Sequence, residues 1–375
     1  MTIGIDCHNL EGRRTGVGRY LINLLSEWSR LKSEHRFFLF FKNEIPGDVP
    51  RIENFRPSIL KTQSTAVFMH HLLPKAAEKE RLNLFFSPSY LLPIRISSKI
   101  KTAVTIHDIS YEAHPEWFSW QNNILLRLIS KHSAKKADFI ISPSKFTKQE
   151  IVKYYPVHPE KIFIIPLGAE KKFKRIEDCQ EINGIKRKYK IKDKFIFYVG
   201  SIFNRRFIPE CIKSFAIIAR KFPEYQFLIG GTNYTHPFID IESLIFSINR
   251  ELKREAILHR DYIDESDLPY LYNAAEAFIW LSSYEGFGLP LLEAMACGTA
   301  VITNKAGSLT EVVGKNAFFV ENPQNIEEIS KAMDVAIHNK LLRSQLREAG
   351  LKWASEFSWE QAAKKTLEIF SHEQK

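Results

Sequence analysis

The sequence contains no apolar run that approaches the roughly 18 to 20 residues a membrane-crossing helix needs, because charges interrupt its most apolar stretches. Cysteine is scarce. Cys7, Cys179, Cys211 and Cys297 are scattered, form no CxxC pair, and offer neither zinc spacing nor a disulfide framework, which fits a reducing cytoplasm. The start lacks the basic segment and apolar core of a signal peptide and opens instead on strand-like Ile3-Gly4-Ile5-Asp6, so export is not expected. With 16 Gly and 17 Pro in 375 residues there is no low-complexity tract, and an ordered chain is expected throughout.

What the chain does have is length and positive charge. At 375 residues it exceeds one ordinary compact core, which favours two domains with a cleft between them. The net charge of +10 is concentrated in Lys131 to Lys136, Lys171 to Arg175 and Lys186 to Lys190. No nucleic-acid reading motif or basic-aromatic platform accompanies it, so a nucleic-acid partner is not expected. An anionic membrane surface, a phosphate-bearing substrate and a plain solvated basic face all remain compatible with such a field.

Short β-branched and aromatic runs alternate with helical patterns from end to end, the mark of parallel sheets covered by helices. In the first half, strands are expected near Ile3–Cys7, Arg36–Phe41, Leu84–Phe86, Thr102–His107, Phe139–Ile141 and Ile162–Ile165. Val17, Tyr20, Leu21, Leu24, Leu25, Trp28 and Leu31 recur at three- and four-residue steps and define one apolar helix face between the first two strands. The charged, aperiodic stretch from Ala169 to Lys194 reads as a connection. The alternation then restarts with strands Phe195–Val199, Tyr225–Ile229, Phe278–Leu281, Ala300–Thr303 and Ala317–Val320, with helices Glu210–Lys221, Ser243–Ala256 and one from Pro290, and with a helical tail from Ile326. In doubly wound sheets ligands sit beyond the carboxyl ends of the strands, so the loops after Cys7, His107, Val199, Leu281 and Thr303 are the places to look.

Each of these loops carries polar or glycine-rich chemistry. After the first strand comes Thr15-Gly16-Val17-Gly18-Arg19-Tyr20, whose glycines allow backbone N–H groups at a helix start to approach an anion or a hydroxyl, or alternatively serve a tight turn. Leu21 breaks the GxGxxG dinucleotide spacing, which disfavours a nicotinamide enzyme. His107-Asp108 follows an apolar strand, where an imidazole can donate a hydrogen bond to a sugar hydroxyl and the acid can orient it or bind acceptor, although such a pair is often merely structural. Arg205 and Arg206 lie beyond Tyr198-Val199-Gly200-Ser201, and their planar forks suit the two phosphates of a diphosphate leaving group. The most specific segment is Ser282-Ser283-Tyr284-Glu285-Gly286-Phe287-Gly288-Leu289-Pro290-Leu291-Leu292-Glu293, in which a strand delivers a glycine loop, Pro290 suits a first helical turn and Gly298 ends the helix. Its amides suit a diphosphate, Glu293 in the first turn suits ribose hydroxyls, and Glu285 suits hydroxyls of a sugar beyond.

With these residues in view the chain resembles glycosyltransferase family 4, the glycosyl transferases group 1, and in particular bacterial mannosyltransferases of surface-polysaccharide synthesis. The resemblance covers Gly16–Gly18, His107-Asp108, Ile165-Pro166-Leu167-Gly168, Val199–Phe207, both glutamates and Phe357-Ser358-Trp359. It implies an α/β protein of GT-B architecture, with two facing Rossmann-like domains and a C-terminal helix crossing back to the first. The expected boundaries are an acceptor-binding domain over 1–170, a linker over 171–194, a donor domain over 195–355 and a returning helix over 356–375. The implied reaction is transfer of a hexose, with mannose from GDP-mannose as the closest analogue, from a nucleotide diphosphate sugar to a glycan or lipid-linked acceptor with retained configuration. No metal and no cofactor beyond the sugar nucleotide are implied. The location implied is cytoplasmic, with peripheral contact at the inner membrane face.

Carried over position by position, the resemblance makes His107, Arg205, Arg206 and Glu285 the catalytic set. It makes Gly16, Gly18, Ser201, Gly286, Phe287, Gly288, Leu289 and Glu293 donor contacts, and Asp108 and Tyr111 acceptor contacts. Two departures stand out. Arg206-Phe207 replaces the Lys-Asn or Lys-Gly type of sequence usual in the family, and Leu281 stands where many members carry proline. The first departure also fits a non-catalytic binder of nucleotide sugars or glycans with the same fold, which would bind donor without turning it over. A further segment, Ile124, Leu125, Leu126, Leu128 and Ile129 followed by Lys131, Lys135 and Lys136, suits either a helix lying on an anionic membrane or one packed on the sheet.

Overall fold

A computed structural model describes residues 1–12, 14–31, 33–118, 120–192 and 194–371, with the backbone alone described at 120–123 and 179. The last four positions of the expected returning helix and Asp193 of the expected linker therefore lie outside the described residues. The chain forms two compact units, one made of Met1–Gly168 with Ser358–Lys375 and the other of Ala169–Phe357.

The first unit is built on a seven-stranded parallel sheet in the order β3-β2-β1-β4-β5-β6-β7. Its strands are β1 (Thr2–Asp6), β2 (Arg36–Phe41), β3 (Phe55–Ile59), β4 (Leu84–Ser87), β5 (Lys101–Thr105), β6 (Phe139–Ser142) and β7 (Ile162–Ile164). Helices α1 (Gly16–Arg30), α2 (Leu73–Lys79), α3 (Trp120–Lys136) and α4 (Lys145–Tyr154) lie between them. On α1 the periodic residues Tyr20, Leu21, Leu24, Leu25 and Trp28 are buried as expected, so the apolar stripe makes core. Gly4 is required where the sheet meets its cover, since a Cβ there would lie 2.2 Å from the Leu82 side chain.

The second unit repeats the plan with a six-stranded parallel sheet in the order β10-β9-β8-β11-β12-β13. The strands are β8 (Lys194–Val199), β9 (Tyr225–Gly230), β10 (Ile257–Arg260), β11 (Ala277–Trp280), β12 (Val301–Asn304) and β13 (Phe318–Val320). Its helices are α5 (Cys179–Lys188), α6 (Ile208–Lys221), α7 (Ile241–Glu251), α8 (Leu268–Ala274), α9 (Leu289–Ala296), α10 (Leu309–Val313), α11 (Ile326–His338) and α12 (Lys340–Ala354). The stretch expected as a plain connection thus holds α5, capped by Asp178, whose carboxylate accepts from the Gln180 and Glu181 amides. Tyr189, just past α5, donates its hydroxyl to Asp267 at 2.6 Å and ties the segment to the second unit.

The final helix, α13 (Trp359–Ser371), returns to the first unit. The Trp28 indole N–H of α1 donates to the Ala363 carbonyl at 3.0 Å, and Phe370 lies 5.2 Å from Phe86 of β4. Outgoing and returning chain touch at Gly168, where a Cβ would approach the Trp359 nitrogen to 2.2 Å. Cys7, Cys211 and Cys297 are buried free thiols, and the Cys179 side chain lies outside the described residues.

Candidate functional site

In each sheet the strand order reverses direction at one point, and there the loops leaving two adjacent strands part to open a crevice. In the second unit this point falls between β8 and β11. The loop after β8 carries Arg205 and Arg206, and the loop after β11 carries Glu285 and Gly286–Leu289, so topology brings together the two segments singled out in the sequence.

The loops are also stitched to one another. The Ser283 amide donates to the Arg205 carbonyl at 3.0 Å. Nη2 of Arg206 lies 2.9 Å from Oε1 of Glu285, and both side chains are about a tenth exposed, at 9% and 11%. The Arg206 guanidinium carbon sits 3.8 Å from the centre of the Trp280 indole, and Arg205 covers the Phe203 ring at 4.6 Å. Trp280 in turn stacks on Tyr198 of β8, with centroids 5.4 Å apart and planes 19° from parallel. Ser201 has an exposed side chain, and its carbonyl accepts from the Tyr198 hydroxyl at 3.1 Å.

Nothing in the backbone conformation explains the Phe207 departure. Arg206 closes a single helical turn, Asn204–Arg206, and Phe207 follows with φ +54° before α6 begins. This left-handed conformation is one that Asn and Gly adopt most readily, so the Asn or Gly usual in the family suits the geometry better than the Phe present here.

Behind the Glu285 loop is a support that the sequence reading did not include. Asn304, at the end of β12, accepts from the Ser282 amide and donates to its carbonyl, both at 2.9 Å. Ser308 donates its hydroxyl to the carbonyls of Glu285 and Phe287 at 2.9 and 2.8 Å. Gly307, at φ +55°, passes so close that a Cβ would lie 2.7 Å from the Glu285 oxygen. The available signal was a Gly-Ser pair just past a strand end, in the loop after Thr303. Gly231 works similarly beneath the other loop, where a Cβ would meet the Gly200 oxygen at 2.0 Å.

The start of α9 is framed by Gly288 at φ +101° with Pro290 in the first turn. Glu293 does not lie in that turn, as expected from sequence, but in the second, because the helix begins at Leu289. It is 1% exposed, and its carboxylate accepts from the Tyr272 hydroxyl of α8 at 3.2 Å. The structure therefore groups Arg205, Arg206, Glu285 and the Gly286–Leu289 backbone, and sets Glu293 in the interior beside them.

In the first unit, Gly16 and Gly18 belong to helix α1 itself and not to a turn before it. Gly16 has open space where a side chain would be, whereas a Cβ on Gly18 would lie 2.5 Å from the Asn9 carbonyl oxygen. Gly16 thus permits close approach from outside, while Gly18 serves close packing within the chain. Nε2 of His107 lies 2.9 Å from the Pro88 carbonyl in the loop after β4. A carbonyl only accepts, so Nε2 carries the proton and Nδ1 of the neutral ring is an acceptor. Burial holds the imidazole pKa below its usual 6.5 despite the Pro88 carbonyl and Asp108, favouring that neutral form. The expected donation from His107 to a sugar hydroxyl is thereby corrected, because the proton of the neutral ring faces Pro88 and Nδ1 can only accept.

The other two first-unit residues are committed elsewhere. One oxygen of Asp108 accepts from the Ser110 amide and hydroxyl at 2.9 and 2.8 Å, closing the turn before a short helix. Tyr111 is 3% exposed, its hydroxyl accepting from Tyr155 at 3.0 Å within the core. Its expected place on an acceptor surface is corrected by this burial, since the one-turn helix Ser110–Ala113 directs Tyr111 inward.

Two arginines, a glutamate and the start of a helix thus meet at the switch point of a doubly wound sheet, where such folds place their ligands. Comparison with known proteins agrees. The Glycosyltransferase Family 4 model matches residues 14–172 and the Glycosyl transferases group 1 model residues 181–353. The chain belongs to this glycosyltransferase family. It is 26% identical over 381 residues to the Escherichia coli O-antigen chain mannosyltransferase B, across 95% of this chain and 96% of that protein. It is 27% identical over 275 residues to the E. coli serotype-specific mannosyltransferase WbdA, across 72% of this chain but only 33% of that longer protein. Among solved structures it superposes on Anabaena HepE, crystallised with UDP and glucose, with a TM-score of 0.76 at 16% identity over 99% of this chain and 100% of that one. The fold is that of the GT-B glycosyltransferases.

Proposed function

We propose that this chain moves a hexose, with mannose from GDP-mannose the best match, onto a glycan or lipid-linked acceptor of surface-polysaccharide synthesis, with retained anomeric configuration. The observation that carries the donor half is the meeting of Arg205, Arg206 and Glu285 at the carboxyl ends of β8 and β11. The arginines neutralise the diphosphate as it leaves, without a metal, and Glu285 holds the sugar hydroxyls while an oxocarbenium-like state forms. Among the residues facing this group no carboxylate is assigned as a covalent nucleophile. The reading is therefore front-face substitution, in which the leaving phosphate takes the acceptor proton. The mannosyl assignment is supported by the names of the relatives, and the first unit is assigned the acceptor.

Thermal shift against GDP, UDP and ADP sugars tests the donor, with GDP-mannose expected to stabilise the protein most. The site assignment fails if Glu285→Ala and Arg205→Ala leave transfer from the accepted donor unchanged. Because Arg206 is engaged by Glu285, a second reading is a binder that holds donor without turning it over. Donor binding with no transfer to any acceptor fraction would establish that reading.

The lipid-linked acceptor and peripheral location rest on α3. Ile124, Leu125 and Leu128 are 52%, 62% and 63% exposed, Lys131 and Lys135 continue the exposed surface, and the helix carries no acid. Apolar side chains beside unopposed lysines suit an anionic headgroup layer. Cosedimentation with phosphatidylglycerol vesicles should be salt-sensitive and weakened by Leu125→Glu with Leu128→Glu. Equal binding to neutral vesicles, or none to either, refutes the membrane contact.

A further inference from the structure

We infer that Trp280 is a positioning residue for Arg206 and that it matches this site to an arginine where the family pattern has lysine. The inference rests on the donor reading above and extends it to a side chain that faces the cation rather than the ligand. Trp280 is the last residue of β11 and is 3% exposed. Its indole lies under the Arg206 guanidinium at 3.8 Å, well within the range of a cation–π contact, and in a setting from which water is largely removed.

The indole has its own fixed place. Tyr198 stacks on it from β8 at 5.4 Å, and the Thr303 hydroxyl of β12 donates to the Trp280 carbonyl at 2.8 Å. Room for the ring exists only because residue 200 is glycine, where a Cβ would lie 2.7 and 2.8 Å from two indole carbons. Gly200 adopts φ +150°, and Gly231 beneath it admits the Gly200 carbonyl. Three strands and two glycines thus converge to hold one aromatic plane under one cation.

A guanidinium is flat, delocalised and weakly hydrated, so it can lie on an aromatic face and still direct N–H bonds along its edge. An ammonium is a strongly hydrated point charge and gains less from this burial. With Glu285 at 2.9 Å on one side and the indole beneath, Arg206 has its direction set before any ligand arrives. That prior ordering removes an entropic cost from the step in which the diphosphate is gripped.

The experiment measures GDP and UDP affinity by calorimetry, and kcat and KM with the accepted donor, for wild type, Trp280→Leu, Trp280→Phe, Arg206→Lys and the pairwise combinations. Trp280→Leu should weaken nucleoside diphosphate binding by about tenfold or more and lower kcat, while Trp280→Phe, which keeps a π face, should stay within about threefold. In the Arg206→Lys background the same Trp280 substitutions should matter much less, a coupling that a purely structural tryptophan would not produce. Should Trp280→Leu not fold, Trp280→Met, which also removes the π face, takes its place in the cycle with Arg206→Lys, with additive losses overturning the inference. Wild-type affinity and turnover in folded Trp280→Leu would overturn it too. Failure of the wild type to bind any nucleoside diphosphate would instead overturn the donor reading itself.

Discussion

Removing one half of the Arg206–Glu285 pair should damage the second unit more than removing both halves. Two unit charges 2.9 Å apart attract by about 6 kcal/mol at an effective dielectric constant of about 20. Taking both ions out of water offsets most of that, so the pair contributes little net stability compared with apolar residues of similar size. Truncating one partner leaves the other charge buried and costs about 3 to 5 kcal/mol. For Glu285→Ala the contact of Arg206 with Trp280 persists and places the expected cost near the low end, about 3 kcal/mol. Arg206→Met loses the aromatic contact as well and belongs near the high end. The double variant removes the stranded charge and should cost about 1 kcal/mol. For a unit of this size, about 2 to 4 °C of melting temperature accompanies each kcal/mol, so either single variant should melt at least about 6 °C lower. Circular dichroism on heating reads this directly, with urea titration as an independent check. The reasoning is refuted if either single variant melts within about 2 °C of wild type, or if the double variant loses the sum of the two.

Other consequences can be measured separately. Gly307→Ala must displace the Glu285 loop at φ +55°, so donor affinity should fall about tenfold or more while the far-ultraviolet spectrum is kept; unchanged affinity would remove Gly307 from the support of that loop. His107 has a lowered pKa in the folded protein, so its contribution to stability is present above its unfolded value of 6.5 and is lost as the pH falls from there through the folded value. The urea midpoint should therefore drop more between pH 7 and pH 5 in wild type than in His107→Gln, and equal slopes would argue against a buried neutral ring. Tyr111→Phe should cost about 1 kcal/mol of stability through the lost hydroxyl partner of Tyr155, with acceptor KM unaltered, and a raised acceptor KM would return Tyr111 to the acceptor surface.

The alternation of strands and helices was legible because each central strand is a short apolar run, and β8, β11 and the segment after β11 stand where the pattern puts them. The elements missed share a weaker local signal. Strand β3, Phe-Arg-Pro-Ser-Ile, sits at the sheet edge, where one side is unpaired and Pro57 is tolerated. Strand β10 was not expected, and the helix before it, expected over Ser243–Ala256, in fact covers Ile241–Glu251. Asn249 marks that end, its side chain accepting from the amides of Ala256 and Ile257 at 2.9 Å. Helix α5 was hidden by its charge and by Gly184, and its amphipathic face has meaning only once α8 is in place. At the site, the residues that face the crevice were visible because strand ends expose them. Trp280, Asn304 and Ser308 were not, because their roles arise from strands far apart in sequence.

The excursion of the chain between Gly168 and Ser358 has a consequence for synthesis. The first unit lacks its closing helix until roughly 190 further residues have left the ribosome, a delay of roughly 10 to 40 s at ordinary elongation rates. During that interval the surface of Trp28 and Phe86 that α13 covers has no lid. The second unit, by contrast, is contiguous and complete as soon as Phe357 emerges. The portion translated first is thus finished last, and the nascent first unit presents apolar surface for a chaperone to shield until its final turn of helix arrives.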